Sequence, residues 1–201
     1  MRKTIIILLL LFIVSGISPD LANATMDNIY LSSGKALQTL EVLEGSSNGD
    51  LMLEKNLSRQ DMVVLISRLY NEEHKAKSFL IKPKFLDLTA DHKFYIPYIG
   101  WAVDKNLIAG KSKDNFGFGE NVTVQQFQTV LLRTLGYTEE AQLWNTVPVL
   151  ADKLGIMKGL SNNPKDNLTR GQMAVMTLNA LKTNKKGSIL TLAEVLNIKI
   201  N

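Results

Sequence analysis

Asn56-Leu57-Ser58-Arg59-Gln60-Asp61 decides the fold, because its pattern returns twice. The second copy is Asn121-Val122-Thr123-Val124-Gln125-Gln126, and the third is Asn167-Leu168-Thr169-Arg170-Gly171-Gln172. Each reads Asn, an aliphatic residue, Ser or Thr, two residues, then Asp or Gln. A hydroxyl followed three positions later by a side chain able to reach back marks a helix start. Ser58, Thr123 and Thr169 are therefore expected to cap first-turn N–H groups. An apolar helical pattern follows every copy: Met62, Ile66, Leu69 and Tyr70, then Phe127, Val130, Leu131 and Leu135, then Met173, Met176, Leu178 and Leu181.

Upstream of each copy lies a glycine, Gly45, Gly110 or Gly159, read as a left-handed helix stop. The gap to the capping hydroxyl is 13 residues in the first two copies and 10 in the third. Apolar stripes precede the glycines: Ala36, Leu37, Leu40 and Leu43; Ile99, Ala102, Val103 and Leu107; Val147, Leu150, Ala151 and Leu154. The unit is thus helix, glycine stop, loop, capped helix, three times in series. That series predicts an all-α fold of helix–loop–helix repeats. The units run over residues 25–78, 79–138 and 139–201, with a polar, lysine-rich stretch at 71–84 joining the first two. Thr191-Leu192-Ala193-Glu194 is a further capping box and predicts a short closing helix.

The chain has 201 residues, 45% of them hydrophobic, which suits a packed globule. It has no cysteine, so disulfides, thiolate metal sites and a cysteine nucleophile are excluded. Arg2 and Lys3, the apolar run from Ile5 to Val14, and Ala22-Asn23-Ala24 together read as a secretory signal peptide, residues 1–24, cleaved after Ala24. The apolar run falls short of the ~20 residues of a spanning helix. No membrane attachment is therefore expected after cleavage. The cleavage region lacks a lipoprotein cysteine, and no sortase-type sorting signal is visible. Loss of the leader takes the net charge from +4 to +3. A mildly basic exported protein suits an anionic wall polymer. Export and the absence of a dense basic run argue against nucleic acid.

The sequence shows no nucleophile–base pair, no metal-ligating cluster and no paired carboxylates on one helix face. His74 and His92 lack metal-ligand spacing. No catalysis, metal or cofactor is expected. The three Asn-x-Ser/Thr sequons coincide with the capping motif, which explains them without glycosylation.

The second unit reads Phe85-Leu86-Asp87-Leu88, Tyr98-Ile99-Gly100-Trp101-Ala102-Val103, Leu107-Ile108-Ala109-Gly110, a loop, and Thr123 with its helix. The third adds Leu154-Gly155-Ile156-Met157-Lys158-Gly159 and Leu168-Thr169-Arg170-Gly171-Gln172. These motifs resemble those of the S-layer homology family, and the resemblance spans residues 29–182. It implies a pseudo-threefold domain around a central three-helix bundle, with grooves between repeats that bind secondary cell-wall polysaccharide, often at a pyruvylated sugar. The residues it implies as ligand-binding are Arg59, Arg170 and Asp87, with backbone near Gly45, Gly110 and Gly159. Arginine's planar fork matches a ketal carboxylate with two parallel bonds.

This sequence departs from the family pattern. The motif arginine is Val124 in the second copy, and the motif glutamate is Asp61, Gln126 or Gln172. Phe94 approximates the aromatic that often follows the motif aspartate, and Trp101 and Trp144 read as packing. At most two working grooves are expected. The function expected is a non-catalytic, secreted surface module of a bacterial cell wall. The alternative is an accessory factor of the same fold that binds another surface protein and has lost polysaccharide affinity.

Overall fold

The computed structural model describes residues 19–200. Of the expected signal peptide, residues 1–18 lie outside these and 19–24 open the first helix. The helices are α1 (Pro19–Thr39), α2 (Arg59–Leu69), α3 (Glu73–Lys77), α4 (Ile96–Asp104), α5 (Val124–Thr134), α6 (Val147–Lys153), α7 (Arg170–Leu181) and α8 (Leu192–Val195). Among the described residues there is no extended strand, only four isolated bridges. The all-α expectation holds.

The caps form where the motif places them. The Ser58, Thr123 and Thr169 hydroxyls accept from the N–H groups of Asp61, Gln126 and Gln172 at 3.2, 3.3 and 3.3 Å. Gln126 and Gln172 reach back to the Thr123 and Thr169 N–H groups at 3.2 and 2.9 Å, completing two capping boxes. Asp61 is one methylene shorter and bonds differently. One of its carboxylate oxygens takes the Ser58 hydroxyl at 2.6 Å and the other takes the Tyr95 hydroxyl at 3.0 Å.

Three of the four bridges join the motif copies to one another. Leu57 N–H donates to Leu168 C=O, Leu168 N–H to Val122 C=O, and Val122 N–H to Leu57 C=O, each at 2.8 Å. The bonds close a ring, and all three side chains are buried. A second ring surrounds it. The N–H groups of Arg59, Val124 and Arg170, each first in its helix, donate to the carbonyls of Glu120, Asp166 and Lys55 at 2.9, 3.0 and 2.9 Å. Helix N-termini leave such donors unpaired. Here each is satisfied by the residue just ahead of another copy's asparagine.

Packing follows the same cyclic order. Helix α4 lies on α2, α6 on α5, and α1 on α7. Each leading helix therefore packs on the capped helix of a different copy, and the first copy closes onto the last. The buried residues form one core running through all three segments.

The helix stops are a correction to the sequence reading. Helices α1, α4 and α6 end at Thr39, Asp104 and Lys153, and the left-handed residues are Glu41, Asn106 and Gly155, with φ of 58°, 58° and 77°. Each stop is tied by an N–H two residues beyond the helix or its cap: Val42 to Leu37, Leu107 to Ala102, and Ile156 to Ala151, at 2.9, 3.0 and 3.0 Å. The glycines expected as stops fall four residues later in every copy. At Gly110 the requirement is space rather than handedness, since a Cβ there would lie 2.4 Å from the Ser112 carbonyl oxygen and 2.5 Å from the Phe85 ring.

Ser58→Ala, Thr123→Ala and Thr169→Ala should each lower stability by about 0.5–2 kcal/mol. The measurement is a shift of the urea midpoint at constant slope. Unchanged midpoints in all three variants would break the equivalence of the caps.

Candidate functional site

The capped helices place an arginine at the first helical position of α2 and of α7. Both side chains reach into the loop of another copy. Arg59 donates from Nε to the Phe116 carbonyl at 2.8 Å, from Nη2 to the Ala109 carbonyl at 3.2 Å and from Nη1 to Gln126 Oε1 at 3.3 Å. Its guanidinium lies 5.0 Å from the Phe116 ring centre. Arg170 donates from Nε to the Leu51 carbonyl at 2.9 Å and from Nη2 to the Glu44 carbonyl at 2.7 Å. Ala109 and Phe116 flank Gly110 as Glu44 and Leu51 flank Gly45. The two forks are therefore equivalent clamps on equivalent loops. Burial lowers the pKa of both arginines, opposed at Arg59 by Glu120 and Asp87. Both stay charged, as arginine does in proteins.

The third clamp is absent. Val124 is fully buried and brings no donor. The loop it would hold is three residues shorter. Asn179 takes over, giving its amide to the carbonyls of Ile156 at 3.0 Å and Lys158 at 2.9 Å. Lys158 precedes Gly159 as Ala109 precedes Gly110.

Asp87 serves the second loop. Its Oδ1 accepts the Phe116 N–H at 2.8 Å, and its Oδ2 accepts the Gly117 and Phe118 N–H groups at 2.8 and 2.9 Å. Burial resists ionisation, but the bonds from Phe118, Phe116 and Gly117 together outweigh it and hold the carboxyl below the usual carboxylate range. Asp87 thus orders the loop whose carbonyls Arg59 grips.

Two cavities lie beside the clamps. One, of about 350 Å³, is lined by Arg59, Gly110, Gln126, Arg133 and Trp144 among others. The other, of about 280 Å³, is lined by Arg170, Gly45, Asp61, Arg68 and Tyr95 among others. The structure therefore brings Arg59 together with Gly110, and Arg170 together with Gly45. Asp87 and Gly159 line neither cavity. Gly159, at φ 83°, shapes its own turn.

Two sets of residues were not read as site residues from the sequence. Tyr30, Tyr95 and Trp144 each stand eleven residues before a left-handed stop, a spacing visible only once the stops are placed. Tyr30 lies over Gly171, whose Cβ would meet its ring at 2.9 Å. Tyr95 bonds Asp61, and burial together with that carboxylate pushes its pKa up to about 12. Phe94, expected in this role, is instead half exposed at the rim of the smaller cavity. Trp144, read as packing, is 49% exposed and lines the larger cavity. The second set is Arg68 and Arg133, ten residues after their caps, where the third copy has Asn179. Among the described residues no group of His, Cys, Asp and Glu is arranged to hold a metal ion.

Residues 84–127 match the family model of the S-layer homology domain. That segment holds Asp87, the glycine-bearing loop and the Thr123 cap. The chain is 24% identical over 161 residues to the middle cell wall protein of Brevibacillus brevis, and 26% identical over 159 residues to the surface layer protein of Brevibacillus choshinensis. These alignments cover 79% and 78% of the chain but only 15% and 14% of the relatives, so the chain spans about a seventh of their length. The domain and these relatives support a secreted bacterial protein of the cell wall or cell surface.

Two outcomes follow from the clamps. Arg59→Ala or Arg170→Ala leaves loop carbonyls without donors and should cost about 1–3 kcal/mol in urea melts. A variant as stable as the parent would mean the fork does not hold the loop. Asp87 adds a pH dependence. A depressed folded pKa stabilises fully above the unfolded value, about 3.9, and that contribution is lost as pH falls through the folded pKa. Asp87→Asn should therefore flatten the stability curve below about pH 4. Parallel curves for the two proteins would rule out this role.

Proposed function

We propose that the chain is a non-catalytic module of three tandem S-layer homology units, residues 25–78, 79–138 and 139–201, exported by a leader cleaved after Ala24 and arranged with pseudo-threefold symmetry. It anchors to the bacterial cell wall by binding secondary cell-wall polysaccharide at an acidic, pyruvylated sugar in a cleft beside an arginine clamp.

The observation that carries this reading is the cleft of about 350 Å³, where two guanidinium groups and a half-exposed indole converge. A cleft of this size with few, placed polar groups is the usual form of a small-ligand site. Guanidinium recognises a planar carboxylate, and an exposed aromatic face suits the apolar face of a pyranose. The match at residues 84–127 and the wall and surface-layer relatives agree with it.

A specific observation favours the other reading as the runner-up. Both motif arginines spend donors on backbone carbonyls, and the third position is Val124. A fold that kept its clamps for structure alone would serve as a protein-interaction module at the surface.

Co-sedimentation with walls isolated from the producing bacterium separates the two. The purified chain should sediment with intact walls and stay soluble with walls stripped of secondary polymer by hydrofluoric acid. Binding should weaken as salt is raised, because the recognised group is charged. Equal sedimentation with stripped walls, or none with intact walls, would overturn polysaccharide binding and leave the protein partner.

A further inference from the structure

The three positions ten residues after the caps hold Arg68, Arg133 and Asn179, and each has a different set of partners. Asn179 spends its amide on two carbonyls and carries no charge. Arg68 is enclosed by carboxylates, with Glu44 at 2.8 Å and Glu73 at 3.0 and 3.1 Å. Arg133 gives one N–H to the Leu107 carbonyl at 3.2 Å and, among the described residues, meets no carboxylate. Burial alone lowers its pKa, with no opposing charge. A partly buried cation without a counter-ion is costly, and an anion entering the cavity would relieve that cost.

The two cavities differ in the same sense. The larger is lined by Arg59, Lys111 and Arg133 and by no Asp or Glu. Lys111 is paired outward, with Glu120. The smaller is lined by Arg170, Arg68 and Lys55, but also by Glu44 and Asp61. Glu44 occupies Arg68 directly, so this cavity carries its own anions. Within the larger one, Arg59 already donates from Nε, Nη1 and Nη2, whereas Arg133 keeps most of its five donors.

We infer that the chain is a monovalent receptor: only the larger cavity accepts an acidic sugar, and Arg133 is the side chain that reads its carboxylate. The inference rests on the polysaccharide reading and deepens it, fixing how many ligands bind and through which residue. The ligand class is a monosaccharide unit bearing a carboxylate, with an apolar edge toward Ile108 and Val130 and a ring face toward Trp144. One site gives no avidity, because avidity needs a second linked contact.

The test is calorimetric titration of the full chain with polysaccharide fragments released from the producer's walls by hydrofluoric acid. One fragment should bind per chain. Arg133→Gln should weaken binding at least tenfold, and Arg133→Lys should restore part of it, because a point charge lacks the fork. Arg68→Gln should leave the Kd within about twofold, and thermal melts check that each variant folds. Fragments freed of ketal carboxylates by mild acid should bind no better than Arg133→Gln binds intact ones. Two fragments per chain would overturn the inference while leaving polysaccharide binding standing, as would Arg133→Gln binding like the parent. No heat from the parent protein would overturn the polysaccharide reading itself, and the inference with it.

Discussion

Three backbone hydrogen bonds, among Leu57, Val122 and Leu168, set the constraint on which the rest of the structure depends. Each contributes only about 0.5–1.5 kcal/mol net. Burying the three aliphatic side chains is worth more, about 1.5–3 kcal/mol each. The ring matters through register rather than energy. Once Leu57 faces Leu168 and Val122, each copy's first helical N–H meets the carbonyl ahead of another copy's asparagine. A slip of one residue would leave buried donors without acceptors, at about 1–3 kcal/mol apiece. The ring therefore determines where every capped helix starts, and so where the arginines after the caps point.

The clamps are the next step of the same constraint. Because α2 begins beside Glu120, Arg59 faces the loop that ends there, and its fork spans the Ala109 and Phe116 carbonyls. Asp87 grips the other side of that peptide, accepting the Gly117 N–H while Arg59 takes the Phe116 C=O. One peptide unit is thus held between a carboxylate and a guanidinium from different copies. The motif arginine and motif aspartate act together through the backbone between them, although their side chains are not bonded to each other. This explains why both belong to a sequence pattern without either having to touch a ligand.

The capped helices were legible in the sequence because a cap is local, the hydroxyl and its N–H lying three residues apart. The all-α class followed from the same signal. The helix stops were not legible. Glu41 and Asn106 take left-handed angles that sequence patterns assign to glycine, and the nearby Gly45 and Gly110 drew the stop to themselves. Those glycines answer to a loop folding close on itself, as at Gly110 against Ser112 and Phe85, and that crowding is tertiary. Arg59 and Arg170 were picked out as equivalent, and the structure makes them equivalent. Their partners were beyond reach, since the bonds span 50 to 126 residues and end on carbonyls, which carry no sequence signature. Arg133 was missed for a related reason: what distinguishes it from Arg68 is the absence of Glu44 and Glu73, not any feature of its own segment.

Differences among the three motif copies separate the shared scaffold from its local chemistry. Where Val124 replaces arginine, the scaffold loses a clamp, and Asn179 recovers one of the carbonyls that clamp would have held. Neither Val124 nor Asn179 carries a charge, so the third loop is held without a cation. Where Glu44 stands ahead of Gly45, the second copy has Ala109 ahead of Gly110. The backbone carbonyl at that position accepts an arginine donor in both copies, so the fold is indifferent to the exchange. The side chain is not: Glu44 turns to Arg68, and Ala109 leaves Arg133 without a carboxylate. A change that costs the clamp nothing alters the electrostatics of the cleft beside it, because backbone builds the clamp and side chains line the cavity.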